Sequence, residues 1–366
     1  MKEAFVSRGP KVEIVNSNIP TPGADEVLIK VVVCGINPKD WKMSEYYGVQ
    51  RSNSGNDIAG VVHSVGSGVA EFGPGDRVAA MHSMHPSVPL SGSFAEYALS
   101  PADTTFHIPN DLSFEEAATV PLAALTAVVL LFRGLKLPEI WDADDEVKEN
   151  VPFVIYGGAS AVGAYAIQLA KHSGIHPIIA VAGRGIPFVN GLIDPSKGDT
   201  VIDYRKGDEA VVADIREALK GAKLRYALDA VRSGTSYINL ARVLASGVAE
   251  TPTSKLALVL PLPGQTTSVA GAEADMVEPF AFPVGIEPIF LGVNVVHNPK
   301  SSRDRLFGFV YSRLFAKGLR DGWLKPHPHE VQPGGLSGLE NALKKLKEGQ
   351  ASATKYVFRL SDTPGI

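Results

Sequence analysis

The residues Gly157-Gly158-Ala159-Ser160-Ala161-Val162-Gly163 have the spacing to wrap a diphosphate. Aligned on Gly158 they read G-x-S-x-x-G, with Ser160 where a dinucleotide fingerprint carries its middle glycine. Gly158 suits a tight turn and Gly163 a close helix–strand approach. Ser160 adds a hydroxyl beside the backbone N–H groups that a helix start turns toward an anion. An ordinary tight strand-to-helix turn is the plainer alternative. Gly183 and Arg184 follow the next strand-like run, where an NAD site wants a carboxylate for the ribose 2′-OH. A guanidinium there suits a 2′-phosphate, so NADPH is expected over NADH, unless Arg184 is only a solvated surface arginine. Tyr204, ending the third strand of this half, is placed to cover an adenine face or bond the phosphate. Lys197 lies close in sequence and could add charge.

These residues need a parallel sheet to hold them. Val151–Tyr156 is a short apolar run with the look of a buried strand, and 161–171 has helical apolar spacing. Strand and helix patterns then alternate: strands at 177–182, 200–204, 224–229, 255–260 and 286–293, helices at 208–219 and 235–244. That alternation predicts a doubly wound parallel sheet. Ligands then lie beyond the strand carboxyl ends, which puts Leu260, Pro261, Phe290, Leu291 and Gly292 near the nicotinamide and substrate. Residues 1–115 instead read as short strands at 12–15, 27–33, 58–65, 77–80 and 94–99, separated by Pro and Gly clusters, as in a compact β-structure. Ser113-Phe114-Glu115-Glu116 is a capping-box pattern, and the apolar run Ala117–Phe132 is expected as a buried interdomain helix. Amphipathic helices at 303–319 and 338–348 precede a terminal strand at 355–360, expected to rejoin the first domain. The charged stretch 141–150 reads as a solvated connector. The expected division is 1–122 with 300–366 for the β-rich domain and 123–299 for the nucleotide domain.

With 366 residues, 45% hydrophobic and 20% charged, the chain is long enough for two cores. A net charge of −4 argues against general nucleic-acid or membrane-surface binding. The one cysteine, Cys34, rules out an internal disulfide and a cysteine-rich zinc site. His82, His85, His327 and His329 lack a matching third ligand and read as loop histidines. None of the 10 tyrosines has a lysine four residues on, which removes a short-chain dehydrogenase. No apolar leader opens the chain, and a cytoplasmic protein is expected.

The spread of motifs is similar to that of the medium-chain dehydrogenase/reductase superfamily. They are C-G-I-N-P-K-D-W-K at 34–42, G-N-D-I-A-G-V-V at 55–62, G-D-R-V at 75–78, G-S-F-A-E-Y at 92–97, L-S-F-E-E-A-A-T-V-P-L at 112–122 and Y-A-L-D-A at 226–230. The chain most resembles the zinc-free quinone-reductase-like branch, and within it the fungal trans-acting enoyl reductases that serve polyketide synthases. The resemblance implies a GroES-like β-rich catalytic domain beside the Rossmann domain, with a cleft between them. Where alcohol dehydrogenases carry a G-H-E zinc motif, this chain reads Gly55-Asn56-Asp57, so zinc catalysis is not expected. The residues Asn37, Lys39, Asp40, Trp41 and Lys42 are implied near the nicotinamide end. Lys42 suits a cofactor contact or proton supply, with a surface lysine beside Trp41 as the other reading. Thr126 matches a family threonine near nicotinamide and substrate carbonyl, or it bonds back to its own helix. Phe290 is a substrate contact or plain core. Lys355 and Tyr356 match a C-terminal position near the cofactor.

The implied activity is hydride transfer from NADPH to the β-carbon of an α,β-unsaturated thioester, probed against quinone or enone reduction and against a non-catalytic NADPH-binding role. A carrier-protein-tethered acyl substrate and a polyketide synthase are the implied partners, in a monomer or homodimer, with no nucleic acid and no membrane.

Overall fold

The computed structural model describes residues 1–83, 92–142, 151–244, 254–260 and 280–366. Residues 143–150 of the charged connector, together with His85 and Pro261, lie outside them. The described residues divide into two compact units, 1–125 with 294–366, and those between 126 and 293.

The first unit opens with a hairpin, β1 (Lys2–Ser7) on β2 (Lys11–Asn16). Its main sheet is built on β3 (Glu26–Gly35), whose run of Val, Leu and Ile suits a strand flanked on both sides. Strands β4 (Asp57–Val65), β5 (Arg77–Met81), β6 (Tyr97–Pro101), β7 (Thr105–His107), β14 (His329–Val331) and β15 (Lys355–Arg359) complete it, in the order β14-β15-β3-β4-β5-β7 with β6 also on β3. The terminal strand rejoins the first domain as expected, by antiparallel pairing of Val357 with Gly35 and Arg359 with Val33. The expected strand at 94–99 instead begins at Tyr97. Phe94 is used elsewhere: its N–H donates to Asn53 Oδ1 at 3.0 Å and its carbonyl accepts from Ala4 N at 2.8 Å. Several elements had no sequence expectation, among them β1, β7, β14 and a helix at Pro38–Tyr46.

The capping box at 113–116 forms. Ser113 Oγ accepts from Glu116 N at 3.1 Å, and the Glu116 carboxylate accepts from Ser113 N at 3.0 Å. Beyond it, Phe114–Gly134 is the one helical stretch among the described residues apolar and long enough to cross a membrane by composition. Its most apolar window is 94% buried in the protein, which makes it a core helix. The helix Ser302–Asp321 is tied down by Arg305 on Asp103 at 2.9 Å and by Arg313 on Glu71.

The second unit holds a six-stranded parallel sheet. Its strands are β8 (Phe153–Tyr156), β9 (Ile178–Ala182), β10 (Thr200–Asp203), β11 (Tyr226–Asp229), β12 (Ser254–Leu258) and β13 (Ile286–Phe290). The order β10-β9-β8-β11-β12-β13 is the 3-2-1-4-5-6 order of a Rossmann sheet. Every residue of β8 and β9 is buried, which is why both read as continuous apolar runs without alternation. Helices Ala161–His172, Asp208–Ala218 and Ser236–Leu244 cover the sheet.

Candidate active site

At the carboxyl end of β8 the chain turns sharply, with Gly157 at φ +84. A side chain at Gly163 would put its Cβ 2.2 Å from the Gly157 carbonyl oxygen, so the helix Ala161–His172 begins directly on the turn. Ser160 is its N-cap, the hydroxyl oxygen accepting from Gly163 N at 3.1 Å. The hydroxyl keeps its own proton to donate, and Ala159, Ala161 and Val162 around it are half-buried. The first N–H groups of the helix have no intrahelical acceptor, so the turn has the donor set that a diphosphate needs.

At the end of β9, Gly183 is buried and Arg184 exposed. A Cβ on Gly183 would sit 2.5 Å from the Tyr204 ring, so the missing side chain is what lets Tyr204 lie across this edge. Tyr204 also stacks on Tyr156, with ring centroids 6.4 Å apart, and keeps 47% of its surface exposed. The structure thus brings Gly183, Arg184 and Tyr204 to one place. The nearby acid, Asp203, is held by Arg205 through bonds of 2.8 and 2.6 Å, and that pairing lowers its carboxyl to about 2. Lys197 is exposed, on a short turn at Pro195–Lys197. Leu260 follows β12, while Phe290 ends β13 and Leu291 and Gly292 follow it, all half-buried.

The first unit holds a different kind of site. Asn37, Lys39, Asp40 and Lys355 converge, and the residue at their centre is Asp57, which the sequence reading treated only as a failed zinc position. Asp57 Oδ2 accepts from Asn37 Nδ2 and from Lys355 Nζ, each at 2.6 Å. Asp57 Oδ1 accepts from the backbone N–H of Leu122 at 2.8 Å, at the start of the helix Pro121–Val128. Lys355 Nζ also donates to Asn37 Oδ1 at 3.0 Å, which fixes the orientation of the amide. Asp40 Oδ2 accepts from Asn37 N at 2.7 Å, and its other oxygen lies 2.8 Å from Lys39 Nζ. Asp40 and Asp57 are fully buried, and burial raises the Asp40 carboxyl despite Lys39. Beside them the buried Cys34 thiol is pushed far up by desolvation and by the two carboxylates.

Lys42 lies on the helix Pro38–Tyr46. Its ammonium lies 5.5 Å from the centre of the buried Trp41 ring, and Lys347 lies 5.7 Å from the same ring. Thr126 is buried on the helix Pro121–Val128. Tyr356 is buried, and its carbonyl accepts from Ile36 N at 3.1 Å. His82 and His327 lie in loops, as expected, and are buried, while His329 opens β14. Desolvation, helped by Lys355, lowers the His327 imidazole to about 3. Among the described residues no set of three or more His, Cys, Asp and Glu side chains is placed to hold a metal ion.

Residues 23–110 match the alcohol dehydrogenase GroES-like domain. Over 341 residues the chain is 44% identical to the trans-enoyl reductase fsr4 of Gibberella fujikuroi, covering 92% of each protein. The chain belongs to the trans-enoyl reductases of the medium-chain dehydrogenase/reductase superfamily. As an enoyl reductase of this group it is an oxidoreductase, and its Rossmann unit fits a nicotinamide cofactor. The fold is shared with the CurK enoyl reductase, at a TM-score of 0.70 and 19% identity over 98% of each chain. It is also shared with a mycobacterial protein complexed with NADPH, at a TM-score of 0.70 and 21% identity over 98% of this chain and 99% of the other.

Proposed function

We propose that this enoyl reductase is NADPH-dependent and reduces the double bond of an α,β-unsaturated thioester, a polyketide chain borne on a carrier protein. The observation that carries the cofactor choice is Arg184 at the carboxyl end of β9, in the position where a carboxylate would favour NADH. The donor set favours an alkene over an alcohol–ketone couple. The Asp57 carboxylate is engaged by Lys355 and Asn37, and Cys34 is held as a buried thiol, so neither is a ready ligand for a Lewis-acid metal.

A nicotinamide cofactor held by the Gly158–Val162 turn would supply the hydride that the β-carbon of the enoyl group takes up. The turn Gly158–Val162 holds the diphosphate through helix-start N–H groups and Ser160, and Arg184 with Tyr204 receives the 2′-phosphate end. As charge grows on the thioester oxygen, the donors assigned to it are Lys42 and Thr126, and Lys42 is the candidate proton source for the α-carbon. Asn37 and Lys355, held by Asp57, keep the end of β3 fixed.

Cofactor titration and turnover test this directly. Arg184→Ala is expected to weaken NADPH by about tenfold, the loss of one charge-assisted contact, while NADH changes little. NADPH oxidation should depend on an enoyl thioester and exceed that with quinones. Failure of the wild-type protein to bind NADPH overturns the proposal.

A further inference from the structure

The strand order of the second unit reverses between β8 and β11, and the crevice beyond their carboxyl ends is where a doubly wound sheet takes its ligand. One side of that crevice is the glycine turn after β8. The other is the turn Ala230-Val231-Arg232-Ser233 after β11, and the two are in direct contact. Ala230 N donates to Tyr156 O at 2.9 Å, and a Cβ on Gly157 would stand 2.5 Å from Val231 Cγ1.

Arg232 is unusual in two independent respects. Its backbone lies at φ +41, a left-handed conformation that costs a non-glycine residue about 1 kcal/mol or more. Asp229 holds it there, accepting from Val231 N at 3.1 Å, from Arg232 N at 2.6 Å and from Ser236 Oγ at 2.5 Å. The side chain is half-buried, and its Nε is buried with no hydrogen-bond partner among the described residues. Asp229 is the nearby anion, but its oxygens serve the backbone and Ser236. Native proteins seldom bury a guanidinium nitrogen without an acceptor unless a ligand provides one.

The geometry points to Arg232 as a second cofactor-anchoring cation, which binds the diphosphate from the β11 side while the glycine turn binds it from the β8 side. This rests on the dinucleotide reading above. It divides the labour between two arginines: Arg184 reads the 2′-phosphate and Arg232 the diphosphate that NADPH and NADH share. A doubly charged diphosphate offers the oxygen acceptors that the fork of an arginine requires.

Dissociation constants for four probes separate the roles: NADPH, NADH, ADP-ribose, which has the diphosphate without the 2′-phosphate, and adenosine 2′,5′-bisphosphate, which has the reverse. Arg232→Gln is expected to weaken NADPH, NADH and ADP-ribose by about tenfold or more and adenosine 2′,5′-bisphosphate by less than about twofold, the loss of one charged hydrogen bond. Arg184→Ala should instead weaken NADPH and adenosine 2′,5′-bisphosphate and leave NADH and ADP-ribose nearly unchanged. Arg232→Gly is the control for folding, because glycine relaxes the left-handed backbone while removing the cation. If Arg232→Gly melts like the wild type yet keeps wild-type affinity for ADP-ribose, the inference is overturned. A loss confined to the bisphosphate overturns it too. Wild-type protein that binds none of the four sinks the dinucleotide reading itself, which is a separate failure.

Discussion

The two sites are held by opposite means. Around Asp57 the first unit uses charge, with a carboxylate, an ammonium and an amide locked together out of water. Around Gly157 the second unit uses the absence of side chains, so that backbone donors and a helix start approach closely. The first arrangement is sensitive to losing one partner, because the remaining charge is left buried. The second is sensitive to gaining atoms. The same protein should therefore respond to deletion in one place and to addition in the other.

The largest effect is expected from Lys355→Met, which strands the Asp57 carboxylate and should cost about 3–5 kcal/mol in denaturant unfolding. Adding Asp57→Leu to that variant should recover much of the loss. If the double variant is no more stable than the single one, charge is not what holds this site. On the other side of the comparison, Gly163→Ala forces a Cβ toward the Gly157 carbonyl and should cost about 1–3 kcal/mol and lower NADPH affinity. Unchanged stability and affinity would mean that the turn has room to spare.

His327 sharpens the contrast through pH. Its imidazole is neutral in the fold down to about 3, against an ordinary value near 6.5. Below 6.5 the unfolded chain takes up a proton that the native chain refuses. Stability is therefore complete above that pH and falls as pH drops toward 3, by at most about 1.4 kcal/mol per pH unit from this group. The slope between pH 6.5 and 5 should shrink by up to that amount in His327→Phe, and an identical slope would remove His327 from the account. The smallest effect is Ser160→Ala, where loss of the N-cap should cost about 1 kcal/mol by thermal or chemical melting.

The parallel sheet was legible because β8 and β9 announce themselves locally, as apolar runs that end in glycine. The helix Pro38–Tyr46 was not, since its buried residues are Asp40, Trp41 and Ser44 and give no apolar stripe. Asp57 was missed for a related reason. Its partners lie 20, 65 and 298 residues away in the chain, so no local spacing joins them. The one available signal was a lone acid opening the apolar strand Asp57–Val65, a charge that must find a partner if it is buried. The glycine turn is local and was readable, whereas the charge cluster exists only after the strands assemble.

Cys34 has a practical consequence. It is the chain's single cysteine, it is fully buried, and its thiol is held protonated. Maleimide dyes and spin labels react with exposed thiolates, so the folded protein should resist them without any cysteine having been removed. One cysteine added at an exposed position such as Leu306 would then be the sole attachment point for a fluorophore.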